Sequence, residues 1–228
     1  MIRDNPAVLC AKLAAKALDV ALVSSFELLR HPLYRVVADI SISSEGPVYS
    51  VVVAHRREIS TLDKIELDPA SETSAALLRC LLAERGLNPR LVSRSALSVP
   101  DAGRLLIGDQ AVHFRQDHPE FRYWDLGDEW NKFIGLPFVY ALWLIRPEVA
   151  EARTVANKLR AIRDRNMANI DELMAAETDF DPNFCKRYYR DHLRFNFGEK
   201  EKEGLRAFQR LCEKHGLLPK REIELSVV

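Results

Sequence analysis

The chain has 228 residues, 33 basic and 33 acidic, so its formal net charge of zero leaves no electrostatic footprint for nucleic acid or an anionic membrane. That length accommodates one large domain or two small lobes, each with its own core. Cys10, Cys80, Cys185 and Cys212 are far apart and form no CxxC or metal-ligand pair, which fits reduced core thiols and no metal site. The first residues lack the basic start, apolar stretch and cleavage site of a signal peptide. The longest apolar run, ending near Ile145, is too short to span a bilayer, so a cytoplasmic protein is expected.

Asn5-Pro6 followed by Ala7, Leu9, Leu13 and Ala14 predicts a capped amphipathic helix with Pro6 at its first position. Asp19 to Val23 predicts a short buried strand that delivers Ser24 and Ser25 at its carboxyl end. Two hydroxyls there suit a helix cap or turn, and they also suit a carboxylate ligand. Arg35 to Ser44 alternates weakly and runs into the turn Ser43-Ser44-Glu45-Gly46-Pro47, where Gly46 permits a tight bend that exposes amides. Hydroxyls and amides converging at Ser44 and Gly46 make a first candidate anion site, ahead of an apolar strand over Val48 to Ala54. Ile65 to Asp68 predicts a brief strand and Ala75 to Ala83 a helix stopped by Arg85-Gly86. The start of that helix, with Ser71, Thr73 and Ser74 beside its positive dipole end, is a second candidate anion site. Glu72 already compensates the dipole, and capping alone accounts for Ser71 and Thr73.

Leu91 to Ser98 predicts another short strand. Between Arg104 and Trp143, two apolar runs flank the polar, aromatic segment Asp125 to Trp130, predicting two buried strands and a helical link. Asp109 then leaves the core at the carboxyl end of a strand, the usual ligand position of open α/β sheets, with a turn-capping role as the plain alternative. Trp130 is assigned to core packing, and His113 and His118 to an exposed loop. After Pro147, apolar residues from Val149 to Leu173 recur at three- to four-residue spacing, the stripe of one long helix or two stacked ones. Asp181-Pro182 opens a helix carrying Tyr188, Tyr189 and Leu193. Gly198 to Leu217 makes the last, with Leu205, Phe208, Leu211 and Cys212 inward and Glu199 to Glu203 as a solvated face.

The segments LLIGDQAV (105–112), DLGDEW (125–130) and GLPFVYALW (135–143) resemble, in that order, the chorismate dehydratase family of the futalosine route to menaquinone. LDVALVSSFE (18–27), ISISSEGPVYSVVV (40–53) and SETSAALLR (71–79) resemble it too, so the likeness spreads over residues 5–216. The resemblance implies an α/β, two-lobed, periplasmic-binding-protein-like type II fold with mixed sheets and two crossover strands. One lobe would comprise 1–54 and 140–228 with the C-terminal helices, the other 55–139. It implies a hydro-lyase that removes water from chorismate to leave 3-[(1-carboxyvinyl)oxy]benzoate, with no metal or organic cofactor. By the same resemblance Ser24, Ser25, Ser44 and Gly46 from the first lobe, and Thr73 and Ser74 from the second, bind the substrate carboxylates. Asp109 is then the candidate acid, base or hydroxyl contact. Family members often carry threonine where Ile134 stands, and they begin with a strand and helix bearing a catalytic Tyr-Leu-Asn segment. Met1 to Pro6 matches only from the second strand onward, so apolar faces of neighbouring strands are expected to be uncovered, and Asn5 is accounted for as a helix start. Two other functions stay open: the sister 1,4-dihydroxy-6-naphthoate synthase and a non-catalytic protein that binds small carboxylates. The partner expected is a small-molecule substrate, chorismate or a similar dicarboxylate, with neither nucleic acid nor membrane; a homodimer is allowed.

Overall fold

The computed structural model describes residues 2–94 and 101–228. In chain order it has α1 (Pro6–Ala14), β1 (Val20–Ser24), α2 (Ser25–Arg30), β2 (Arg35–Ser44), β3 (Val51–His55), β4 (Lys64–Leu67), α3 (Glu72–Glu84) and β5 (Arg90–Ser93). There follow β6 (Gly103–Ile107), α4 (Gly108–Asp117), β7 (Arg122–Asp125), α5 (Leu126–Ile134) and β8 (Phe138–Ile145). A helical tail closes the chain: α6 (Ala152–Ala168), α7 (Ile170–Ala175), α8 (Pro182–Arg187), a π-turn (Tyr188–His192) and α9 (Glu199–Lys214). α1 starts as its sequence dictates, with the Asn5 side chain accepting the Val8 N–H and Pro6 at the first position.

The strands form two sheets, one per lobe. The first has the order β1-β8-β2, with β8 antiparallel to both neighbours. Its outer edge on β2 is joined by the chain terminus, where Val36 N–H donates to the Ser226 carbonyl and Val228 N–H to that of Val36. Along β1 runs an apolar groove of about 800 Å³ lined by Leu9, Leu18, Leu22, Ile42 and Trp143. The second sheet has the order β5-β4-β6-β3-β7; β4 runs parallel to β5 and β6, and β3 antiparallel to β6 and β7. All five residues of β3 are buried, which is why Val51 to Ala54 reads as an unbroken apolar run. β3 lies inside this sheet, so the chain crosses from the first sheet to the second at residues 45–50, ahead of the strand, and back at 135–137.

The stretch from Arg104 to Trp143 holds more than two strands and a link, since α4 and β7 stand between β6 and α5. Of α4 only Ala111 and Val112 are buried, an apolar stripe too narrow to register as a helical pattern. His113 accordingly sits on this helix, stacked on Phe180 at 4.6 Å, and not in a loop; His118 caps its end. The strand expected over Leu91 to Ser98 is β5, ending at Ser93; residues 95–98 lie outside the described residues. Trp130 is fully buried against Phe138 and Phe208, its indole N–H donating to the Leu136 carbonyl (2.9 Å). Glu201 departs from the solvated-face reading: it is buried because its carboxylate accepts the Gly198 N–H (2.8 Å) and so caps α9.

In the tail, α6 covers the first sheet through Ala152 and Ala156 against Val37, Ile40 and Ile145. Phe184 and Cys185 of α8 pack with Met174 on Val112 of α4, so the tail also reaches the second lobe. Among the described residues no helix is long and apolar enough to cross a membrane.

Candidate active site

Hydroxyls from the two lobes meet where β1 ends and α3 begins. The Ser24 hydroxyl contacts that of Thr73, and both residues are buried. Thr73 donates to the Tyr140 carbonyl (3.2 Å) and accepts the Phe26 N–H (3.3 Å), which leaves Ser24 as the donor of the pair. Ser71 caps α3, accepting the Ser74 N–H (3.2 Å) while its own hydroxyl donates to that of Ser74 (2.8 Å). Ser25 points elsewhere: it donates to the Val139 carbonyl (2.7 Å), tying the start of α2 to β8.

A second set gathers at the first crossing. Ser44 donates to the Gly46 carbonyl (3.1 Å) and lies 3.1 Å from the Tyr140 hydroxyl, which therefore donates to Ser44. Burial pushes the Tyr140 hydroxyl well above the usual phenol range, so it stays a donor at any physiological pH. Gly46 has φ of 103°, open only to a residue without Cβ. Asp125 holds the segment in place. Its Oδ1 accepts the N–H groups of Val48 (3.1 Å), Gly127 (3.0 Å) and Asp128 (3.1 Å), and its Oδ2 that of Tyr49 (2.7 Å). One carboxylate thus caps α5 and pins the crossing. The lobes approach so closely here that a Cβ on Gly127 would fall 2.7 Å from the Gly46 carbonyl oxygen, 2.7 Å from the Tyr140 hydroxyl and 2.8 Å from the Ser44 hydroxyl.

A third set lies at the start of α4. The Ser50 carbonyl accepts the Gly108 N–H (2.8 Å), and its hydroxyl accepts from Tyr188 (2.7 Å). Asp109 follows Gly108 in the first turn of a helix that has no side-chain cap, with its carboxylate exposed. Burial pushes the Tyr188 hydroxyl up to about 12, and the charge of Asp109 contributes to that shift.

Of the residues singled out in sequence, Ser24 and Thr73 are in contact, as are Ser44 and the Gly46 carbonyl, with Tyr140 touching both sets through its carbonyl and hydroxyl. Ser74 adjoins Thr73, whereas Asp109 follows Gly108, whose N–H donates to the Ser50 carbonyl outside both sets. Tyr140, Asp125, Gly127 and Ser50 were not singled out for these roles. Tyr140 carried a signal, because a phenol inside an apolar strand must find a hydrogen-bond partner. Asp125 carried another, as an acid directly before a helix is a cap.

Electrostatically, all three helix starts already hold a carboxylate, that of α4 being Asp109 in its first turn. Asp125 serves α5, and Glu72 on α3 is gripped by Arg30 at 2.6 and 3.2 Å. The hydroxyls of Ser24, Thr73, Ser44 and Tyr140 each donate within the protein, so a ligand gains them only by displacing those bonds; it also meets the Ser74 hydroxyl, the first amides of α4 and the Asp109 carboxylate beside them. Neutral, pre-placed donors of this kind orient an anion and stabilise charge that develops on it.

A family model described as menaquinone biosynthesis matches residues 1–214. The chain is 31% identical over 226 residues to the chorismate dehydratase of Thermus thermophilus, covering 89% of this chain and 83% of that one. Among solved structures, a protein of Archaeoglobus fulgidus superposes with a TM-score of 0.74 at 22% identity, covering 96% of this chain and 86% of that one. A Candida albicans protein described as having the generic periplasmic binding protein structural fold superposes with a TM-score of 0.63 at 10% identity, covering 97% and 80%. The two-lobed binding-protein-like fold is thus shared with these structures, and by the match over nearly its whole length the chain belongs to the menaquinone biosynthesis family.

Proposed function

We propose that this protein is a chorismate dehydratase that holds its substrate between the lobes. The observation that carries the reading is the meeting of hydroxyls from opposite lobes, Ser24 with Thr73, beside the Tyr140–Ser44 pair, in a chain 31% identical to an enzyme of that name. The reaction removes a proton from the ether-bearing ring carbon and hydroxide from its neighbour, leaving water and an aromatic ring. Aromatisation supplies driving force, so positioning and charge stabilisation account for much of the task. Ser24, Ser44, the Gly46 turn, Thr73 and Ser74 bind the two carboxylates, and Asp109 serves as the acid or base. Ser25, committed to the Val139 carbonyl, acts by placing Ser24. We place the reaction in the cytoplasm.

Incubating the purified protein with chorismate tests this. The expected product is lighter by one water and absorbs in the ultraviolet as a substituted benzoate. Binding of chorismate without turnover would instead assign the chain to the non-catalytic carboxylate binders of the same fold.

A further inference from the structure

We infer that Tyr188 is a positioning residue for Asp109, an inference that rests on Asp109 being the reacting carboxylate of the proposed dehydration. Tyr188 opens the π-turn, in which the Leu193 N–H reaches back five residues to the Tyr188 carbonyl (3.0 Å). Widened turns of this kind are frequent at functional sites, because the extra residue re-aims the side chains around it. Here the turn is docked on the first crossing at both ends. Tyr188 donates to the Ser50 hydroxyl (2.7 Å), and the His192 ring nitrogen Nδ1 lies 2.9 Å from the Pro47 carbonyl oxygen. Between those anchors Tyr49 is held in the left-handed region (φ 68°), with its ring 5.0 Å from that of Phe184. Ser50 is buried, and its carbonyl fixes the N–H of Gly108, the residue that starts α4 and immediately precedes Asp109. The path from the Tyr188 hydroxyl to Asp109 therefore runs through two hydrogen bonds and one peptide unit. A tyrosine needed only for packing, here stacked on Phe184 at 5.4 Å, has a dispensable hydroxyl; one that sets the start of α4 does not.

The test is a double-mutant cycle on kcat and KM with chorismate, using Tyr188→Phe, Asp109→Asn and the pair, the slow variants being measured with enzyme in excess. Asp109→Asn is expected to lower kcat about 100-fold or more, the usual worth of a general acid or base. Tyr188→Phe is expected to lower kcat about 10-fold with KM within about twofold, and to cost less than about twofold once Asp109 is already replaced. Equal losses on both backgrounds, or wild-type kcat in Tyr188→Phe, would overturn the inference. Asp109→Asn alone reports on the underlying reading: an unchanged kcat would remove Asp109 from the chemistry and the role of Tyr188 with it. Should Tyr188→Phe be poorly folded, Ser50→Ala removes the acceptor and leaves the ring in place. It must give the same pattern, and wild-type behaviour there would equally overturn the inference.

Discussion

Gly127→Ala is expected to cost at least about 100-fold in kcat/KM, the scale set by a misplacement of about 1 Å in a positioned site. The added methyl would lie 2.7 Å from both the Gly46 carbonyl oxygen and the Tyr140 hydroxyl, and 2.8 Å from the Ser44 hydroxyl. All three are distances that carbon cannot occupy, so α5 must back away from the crossing or the Tyr140–Ser44 pair must part. Either movement separates donors contributed by different lobes. The stability cost should be about 1–3 kcal/mol, as for other overpacking changes. Steady-state kinetics and a melting curve separate the two effects. Activity within threefold of wild type would mean that this contact does not border the reacting substrate.

Asp125→Ala is expected to be the more damaging change to the fold. It strips the acceptor from four backbone N–H groups at once, two in the crossing and two in the first turn of α5. Loss of a helix cap costs about 1 kcal/mol, and hydrogen bonds to a charged group are worth about 1.5–3 kcal/mol, so a total near 3 kcal/mol is expected for this half-buried cluster. At about 2–4 °C per kcal/mol for a chain of this size, Tm should fall by about 6–12 °C. Asp125→Asn should recover part of the loss, since its amide oxygen still serves Val48, Gly127 and Asp128 while its NH2 group opposes the Tyr49 N–H. Thermal unfolding of the two variants decides, and an alanine variant melting within 2 °C of wild type would remove Asp125 from the role of clamp.

How far the sequence disclosed this arrangement follows from what each residue needs. α1, β1, β4 and α3 were legible because their boundaries are written in local chemistry: Asn5-Pro6 at a helix start, an apolar strand ahead of Ser24, Arg85-Gly86 at a helix end. α4 was not, because a helix that buries little more than Ala111 and Val112 has no periodic stripe to read. Glu201 looked like one member of a charged face because nothing local says that its carboxylate turns back to the Gly198 N–H. At the site, the hydroxyl residues could be picked out from type and position, whereas their partners could not. The Ser24–Thr73 contact spans 49 positions and the Ser44–Tyr140 contact 96, and only the folded chain brings them together. Ser25 and Ser24 look alike in sequence; Ser24 ends β1 and turns its hydroxyl to Thr73, whereas Ser25 opens α2 and sends its own to the Val139 carbonyl. The π-turn left no trace at all, since a single extra residue in a helix alters no composition or period that could be seen.

The most direct measurement is a crystal structure of the protein with 3-[(1-carboxyvinyl)oxy]benzoate bound. The account predicts the ligand between the lobes, its carboxylate oxygens at about 3 Å from donors among Ser24, Ser44, Thr73 and Ser74, and its ring facing Asp109. A ligand seated instead in the apolar groove along β1, with those hydroxyls still bonded within the protein, would contradict it.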